Sequence, residues 1–336
     1  MKPTIYNVAQ RAGVSIATVS KVLNHTGRIS EETRRRVLAI MDEMGYQPSV
    51  VASALTGKST FTIGMLVPDL ANPFFAEVAR FTEDRGHELG YNIVICSTDN
   101  DPEKEADYIS LLQQKSVDGL IIATGTANDA ILKDMLKRNI PIALFARDLP
   151  TMAVDTVLVD DYMGGYLAAS HLAELGHRRI AVIAEGTQVL SSRERLRGYR
   201  SAMEEHGIDI DERLIGVSDF TIEGGKRTAG ALLDGTEPPT AIFACNDLLA
   251  IGAIQAARER GIAVPDHLSV VGFDNTMLAD IVYPPLTTVA QPIRQIGSQV
   301  VDLLVQEIRG DKRNKQRIIL LPELVVRGST HAPAKG

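Results

Sequence analysis

Short apolar runs along this chain are followed repeatedly by the same kinds of side chain. Asn72, Phe74 and Phe75 come after the run 62–67, Arg147 and Asp148 after 140–145, Asp160 and Asp161 close the run at 157–160, Asn246 and Asp247 follow 241–245, and Asp274 follows 269–273. Carboxylates, an amide, a guanidinium and aromatic rings are what a small polar ligand needs. The charged groups bond hydroxyls and the rings cover an apolar face. Each residue also has a plainer use: Phe74 and Phe75 as core of the helix they start, Arg147 as a surface charge, Asn246 or Asp247 as a helix cap. What favours a ligand site is their recurrence at one topological place. No catalytic constellation accompanies them: there is no phosphate-cradling G-x-x-x-x-G-K-[ST], no H-E-x-x-H and no G-x-S-x-G, and the seven His are scattered. Cys96 and Cys245, the two cysteines, sit in apolar runs and read as buried thiols, so neither a disulfide framework nor a metal or cofactor site is expected.

The elements that must position these residues alternate. Strands are expected at 62–67, 92–96, 119–123, 140–145, 157–160, 180–184, 241–245, 269–273 and 287–290, with helices such as 73–89, 102–114, 162–175 and 248–260 between them. Repeated β-then-α implies parallel sheets covered on both faces. The count suggests two doubly wound lobes, with ligands held beyond the carboxyl ends of the strands.

The first sixty residues are different. They hold eight Lys/Arg against four acids, a charge of +4, whereas the remaining 276 carry 27 basic against 38 acidic side chains, or −11. A basic head on an acidic body suits a nucleic-acid partner. Thr4 is placed to cap a short helix with Val8, Ala9 and Ala12 on one face, and Gly13 breaks it. After the turn Ala12-Gly13-Val14-Ser15, a second helix, 16–23, turns Val19, Val22 and Leu23 one way. Its other arc carries Ile16, Ala17, Ser20, Lys21 and Asn24. A third helix starts near Ser30, with Glu31 and Glu32 at its positive end, and is expected to bury Val37, Leu38 and Met41. Two helices across a Gly-containing turn, braced by a third, form a helix-turn-helix, although a bare three-helix cap with Arg34-Arg35-Arg36 as a solvated run has the same outline.

The stretch from Ile5 to Asn24, through Ala12-Gly13-Val14-Ser15 and Thr18-Val19-Ser20-Lys21, resembles the DNA-binding signature of the LacI/GalR family of bacterial repressors. The resemblance implies DNA contacts from Thr4, Ser15, Thr18, Ser20, Asn24, Arg28 and Tyr46, with operator preference set at Ile16, Ala17 and Lys21. Asn7 stands where an acid is usual. The run 48–57, with Pro48 at its start and Gly57 at its end, is too short to hold a helix alone in water. It is similar to the family's hinge helix, which implies minor-groove contact from Ala52 and a leucine wedge at Leu55. Ser49 and Ser53 replace the Asn and Arg that many members carry.

The body resembles the family's effector domain, in Asp69-Leu70-Ala71-Asn72-Pro73-Phe74-Phe75, Arg195-Leu196-Arg197-Gly198-Tyr199, Asn246-Asp247-Leu248-Leu249-Ala250 and Val270-Val271-Gly272-Phe273-Asp274. The resemblance implies Phe74 and Phe220 stacked on a sugar-like ligand and Arg147, Asp161, Arg195 and Asp247 bonded to it. Asn72, Phe75, Ser191, Asn246, Asp274 and Gln291 complete the expected site. Ala146-Arg147 stands where many sugar-sensing relatives have Asp-Arg.

These readings together make an all-α helix-turn-helix headpiece (1–47), a hinge and linker (48–60) and an effector domain (61–336). Its lobes are expected at 61–160 with 291–320 and at 161–290 with 321–330, so that the chain crosses between them three times. The expected function is repression of transcription by a homodimer on a palindromic operator, controlled by a carbohydrate effector. A catabolite-control regulator answering to a phosphorylated carrier protein is the alternative, and a sugar receptor without DNA function is a remoter one. No run approaches the roughly 20 apolar residues that span a bilayer, and no signal peptide is visible, so a cytoplasmic protein without a membrane partner is expected.

Overall fold

The structure, a computed structural model, describes residues 3–23, 27–46, 59–125, 128–186 and 189–333. The chain divides into two compact units, residues 1–60 and 61–336. Asn24 and the hinge positions 48–57, with Ala52 and Leu55, lie outside the described residues.

In the first unit α1 spans Ile5–Ala12, α2 Ile16–Leu23 and α3 Glu31–Glu43. Thr4 caps α1: its Oγ1 accepts from the Asn7 N–H at 3.4 Å, and Asn7 Oδ1 accepts from the Thr4 N–H at 2.9 Å. The amide oxygen of Asn7 thus closes a capping box that a carboxylate would close equally well. Thr4→Ala should cost about 1 kcal/mol of local stability and Asn7→Asp close to nothing. Amide exchange along α1 checks this, and parent-like exchange in Thr4→Ala would show the cap to be idle. Gly13, at φ 64°, ends the helix in the left-handed conformation that a Cβ disfavours. Val8, Ala9, Ala12, Val19, Val22, Val37 and Met41 form the core. Leu38, expected to join them, is 44% exposed. Val37 and Met41 are four apart on one face, and Leu38 is turned about 100° away.

In the second unit the strands are β1 (Thr62–Val67), β2 (Asn92–Ser97), β3 (Gly119–Ile122), β4 (Ile142–Phe145), β5 (Asp155–Val159), β6 (Ile180–Ala184), β7 (Ile215–Val217), β8 (Ala241–Ala244), β9 (Ser269–Asp274), β10 (Thr287–Ala290), β11 (Arg317–Leu320) and β12 (Glu323–Val325). The helices are α4 (Pro73–Glu88), α5 (Pro102–Gln114), α6 (Asp129–Lys137), α7 (Asp161–Glu174), α8 (Leu190–Glu205), α9 (Ile222–Leu233), α10 (Asp247–Glu259), α11 (Met277–Ile281) and α12 (Ile293–Arg309). One sheet runs β11-β5-β4-β3-β1-β2 and is parallel throughout. The other runs β12-β10-β9-β8-β6-β7, parallel except for the antiparallel β12. Strands buried on both sides read as continuous apolar runs, which is why the central ones were visible in the sequence. The edge strands β7, β11 and β12 are half-exposed; β7 and β12 are only three residues long, and β11 has the apolar run Ile318-Ile319-Leu320 but alternates between exposed and half-buried positions. β4 begins past Pro141, which has no N–H for the ladder. β5 begins two residues early, at the fully buried Asp155, whose carboxylate meets Lys312 at 2.5 Å.

Each sheet carries apolar clusters on both faces. Helices α4 and α12 cover one side of the first and α5 and α6 the other. For the second sheet the pairs are α7 with α8 and α9 with α10. Helices α7 and α8 cross so closely that a Cβ at Gly198 would lie 1.9 Å from the Tyr162 carbonyl oxygen, and one at Gly165 would lie 2.0 Å from that of Arg195. This contact sets the start of α7 beside the middle of α8. Gly198→Ala should therefore destabilise the second unit by about 3 kcal/mol, the upper range for overpacking, because the obstacle is backbone. A parent-like thermal midpoint would show that the helices can part freely.

The chain passes between sheets where β5 leads into α7, β10 into α12 and β11 into β12. Two of the passages are one or two residues long: Val159 ends β5 and Asp161 opens α7, and Leu320 ends β11 while Glu323 opens β12 opposite Ala290, the carboxyl end of β10. The carboxyl edges of the two sheets therefore converge on one cleft.

Candidate effector site and DNA-reading helix

On the second sheet's side of the cleft the charged residues form one buried cluster. Asp161 opens α7 and Arg195 lies on α8; Arg195 Nε donates to Asp161 Oδ1 at 2.8 Å. Arg195 Nη1 donates to the carbonyl of Cys245 and stands 4.0 Å from Asp274 Oδ1. The guanidinium lies 3.6 Å from the centre of the Phe273 ring, and Gln291 Nε2 donates to Asp274 Oδ1 at 2.7 Å. Asn246 caps α10, accepting from the Leu249 N–H at 2.7 Å, and its buried Nδ2 has no partner among the described residues. The cap thus uses only the oxygen end of the amide.

Asp247 is turned toward protein donors. Its Oδ2 accepts from the N–H and hydroxyl of Thr276 at 2.7 and 3.0 Å, and its Oδ1 from the Thr288 hydroxyl at 2.7 Å. It fastens the turn after β9, where Asp274 and Asn275 both have positive φ, 113° and 59°.

On the first sheet's side Arg147, only 3% exposed, pairs with Asp129 and stands 3.7 Å from Glu105 Oε1. It is not a surface charge. Among the described residues its Nε has no hydrogen-bond partner. Glu105 is itself buried and receives the Thr124 hydroxyl and, at 2.8 Å, Asn128 Nδ2. Asn72 caps α4 through the Phe74 N–H at 3.0 Å. Phe74 belongs to the core and is 5% exposed, so it serves the helix it starts. Phe75 and Phe220 are half-buried at the edges of their clusters, and Ser191 is half-buried in the first turn of α8.

The electrostatics follow from burial. Desolvation raises Asp161 against the opposing pull of Arg195, and raises Asp274 well above the carboxylate range, with Asp247 adding to the shift. Asp247 is pushed up to about 6 by burial in spite of its threonine donors. Burial lowers Arg147, with Asp129 and Glu105 opposing, whereas in Arg195 the acids outweigh burial and raise it. A folded-state pKa above the unfolded one makes Asp247 a source of stability at low pH that disappears as pH rises from about 4 to 6. Asp247→Asn should thus gain stability relative to the parent as pH climbs through that window. Denaturant melts at pH 4 and 7 check it; a pH-independent difference would contradict it.

Glu105, Thr124, Asn128, Asp129, Phe273, Thr276 and Thr288 were not singled out from the sequence. Glu105 and Asp129 are acids on sheet-covering helices, where a carboxylate is ordinarily solvated, and only the distance in space to Arg147 reveals them. The threonines flank strand ends, a signal of the same kind as that of Asp274, but hydroxyls are too common in turns to stand out.

In the first unit Ile16, Ala17 and Lys21 are exposed on α2, and Ser20 is half-buried beside them. The Ser15 hydroxyl oxygen accepts the Thr18 N–H at 3.1 Å, starting the helix. Thr4 and Arg28 are exposed, and Tyr46 packs half-buried against the headpiece core. An exposed helix of small and basic side chains, braced by two others, has the form of a major-groove reader.

A helix-turn-helix head and a body of two parallel α/β lobes define a class of DNA-binding transcriptional regulators. Residues 4–49 match the model of bacterial regulatory proteins of the lacI family, and residues 169–330 that of the periplasmic binding protein-like domain. The HTH-type transcriptional regulator DegA of Bacillus subtilis (strain 168) is 53% identical over 98% of each chain. The lac repressor dimer bound to operator and an anti-inducer superposes with a TM-score of 0.88 at 31% identity, over 99% of this chain and 100% of that one. The transcriptional regulator CelR–cellobiose complex does so at 0.76 and 32%, over 97% and 99%. The chain belongs to the lacI family of bacterial regulatory proteins: it is an effector-controlled DNA-binding transcriptional regulator, not an enzyme. Among the described residues no helix is long and apolar enough to cross a membrane.

Proposed function

We propose that the chain is a repressor, dimeric on a palindromic operator in the cytoplasm, whose affinity is set by a neutral polyhydroxylated effector of the sugar class. The observation that carries this is the mixture of donors and acceptors in the cleft. Among the described residues Arg147 Nε and Asn246 Nδ2 are buried donors without protein acceptors, and they share the cleft with the carboxylates of Asp161 and Asp274. A hydroxyl both donates and accepts, so one class of ligand answers both needs. An anion answers only the first. It would meet Glu105, Asp129, Asp161, Asp247 and Asp274 against two guanidiniums, which disfavours a sugar phosphate. The cellobiose complex of the CelR relative supports the sugar class. Arg147, Asp161, Arg195, Asn246, Asp274 and Gln291 are the residues proposed to bond the effector. Phe75 and Phe220 are proposed to flank it, and Asp247 acts by holding the turn of Asp274. On α2, Ile16, Ala17 and Lys21 are proposed to read the operator while Thr4, Ser15, Thr18, Ser20, Arg28 and Tyr46 anchor or support it. The lobes proposed to move are 61–160 with 291–320 and 161–290 with 321–330.

Thermal denaturation of the full chain against neutral mono- and disaccharides and their phosphates tests the ligand class. A ligand at 100 times its dissociation constant adds about 2.7 kcal/mol. Stabilisation by neutral sugars alone is the expected result, and stabilisation confined to phosphates would overturn the reading.

A further inference from the structure

The turn that carries Asp274 ends in a contact between the lobes. Thr276 precedes α11 in extended conformation, and its hydroxyl is committed to Asp247, so it gives α11 no side-chain cap. The next N–H, that of Met277, donates instead to Glu77 Oε1 at 3.1 Å. Glu77 lies on α4, which packs on the first sheet; Met277 follows β9 of the second. The same turn is held from behind by Arg327, which donates to Asn275 Oδ1 at 2.7 Å and pairs with Asp280 at 2.8 Å. Its four consecutive residues thus have four different anchors: Asp274 in the Arg195 cluster, Asn275 on Arg327, Thr276 on Asp247 and Met277 on Glu77.

We propose that Glu77 is an interlobe latch, a carboxylate on one lobe that caps the α11 helix of the other and holds the cleft shut. Arg147 on one lobe and Arg195, Asp247 and Asp274 on the other are each at most 5% exposed, so an effector that bonds both sets needs the lobes and these side chains to move. The latch is a contact that has to break for the lobes to part at this rim. It is fixed to the site by a single residue step, because Thr276, held by the buried Asp247, adjoins the N–H that Glu77 accepts. A shift of the turn at Asp274 therefore moves the Met277 N–H away from Glu77, and opening at Glu77 releases the turn. The device concerns the free protein and stands whatever the effector is.

The test needs no effector. Spin labels are placed on the exposed positions Glu83 of α4 and Arg258 of α10, and the full chain is diluted with unlabelled protein so that only distances within one chain are read. Glu77→Ala removes the acceptor. Its distance distribution should gain a longer component absent from the parent. Glu77→Gln keeps an acceptor oxygen at the same place and should restore the parent distribution, which loss of helix α4 packing would not allow. Thr276→Val, which loosens the turn from Asp247, should lengthen the distribution in the same sense. A Glu77→Ala distribution identical to the parent, or a Glu77→Gln distribution as long as that of Glu77→Ala, would overturn the latch.

Discussion

Arg195→Met should be the most damaging single substitution in the effector domain, lowering its unfolding free energy by about 3–5 kcal/mol and abolishing any effector response. Removing one member of a buried charge cluster leaves its partners uncompensated, and that cost exceeds the worth of the pair itself. Asp161 loses its 2.8 Å donor, Asp274 loses its nearest cation, and the carbonyl of Cys245 loses the guanidinium as well. Methionine replaces the apolar stem but neither the donors nor the cation over Phe273. Neutralising the acids with it distinguishes charge from packing: Arg195→Met combined with Asp161→Asn should recover part of the loss. Urea unfolding followed by far-UV circular dichroism reads both. A single variant as stable as the parent would mean that Arg195 and Asp161 do not form a coupled pair.

Removing residues 1–60 should abolish DNA binding altogether and leave effector binding intact, the second of the two large effects. The deleted segment carries +4 and all of α1 to α3, while what remains carries −11 and is repelled by phosphates. In the full chain, affinity should fall steeply with salt, because each neutralised phosphate releases counterions on binding. Within α2, Lys21→Ala should change which duplex is preferred, whereas uniform weakening across duplexes would mark Lys21 as a phosphate contact. Electrophoretic mobility shifts at two salt concentrations, with duplexes selected from a random pool, measure all three. Binding by the truncated chain would contradict the division of labour.

The sequence disclosed most where one physical signal decides. The central strands appear as unbroken apolar runs because both faces are covered, and the headpiece helices appear through Thr4, Gly13, Ser15 and Ser30, whose caps and breaks are local chemistry. The edge strands β7 and β12 are too short to show such a run, and β11, which has one in Ile318-Ile319-Leu320, is absent from the expected strands. Candidate site residues at strand ends, among them Arg147, Asp161, Asn246 and Asp274, were picked out by topology. Their orientation was not: that Phe74 turns into the core, or that Asp247 spends its oxygens on Thr276 and Thr288, depends on packing between elements far apart in the chain. Glu105 and Asp129 were hidden for the same reason, since an acid on an amphipathic helix reads as solvated until an arginine is folded over it.

The central claim is that one chain couples a cleft to a DNA-reading head, and coupling between two ligands must be reciprocal. The most direct measurement is the affinity of the full chain for a stabilising sugar, by isothermal titration, with and without a saturating selected operator duplex. Typical coupling free energies predict a change of about 5–150-fold, matched by an equal change in operator affinity when the sugar is saturating. Identical sugar affinities in the two conditions would contradict it.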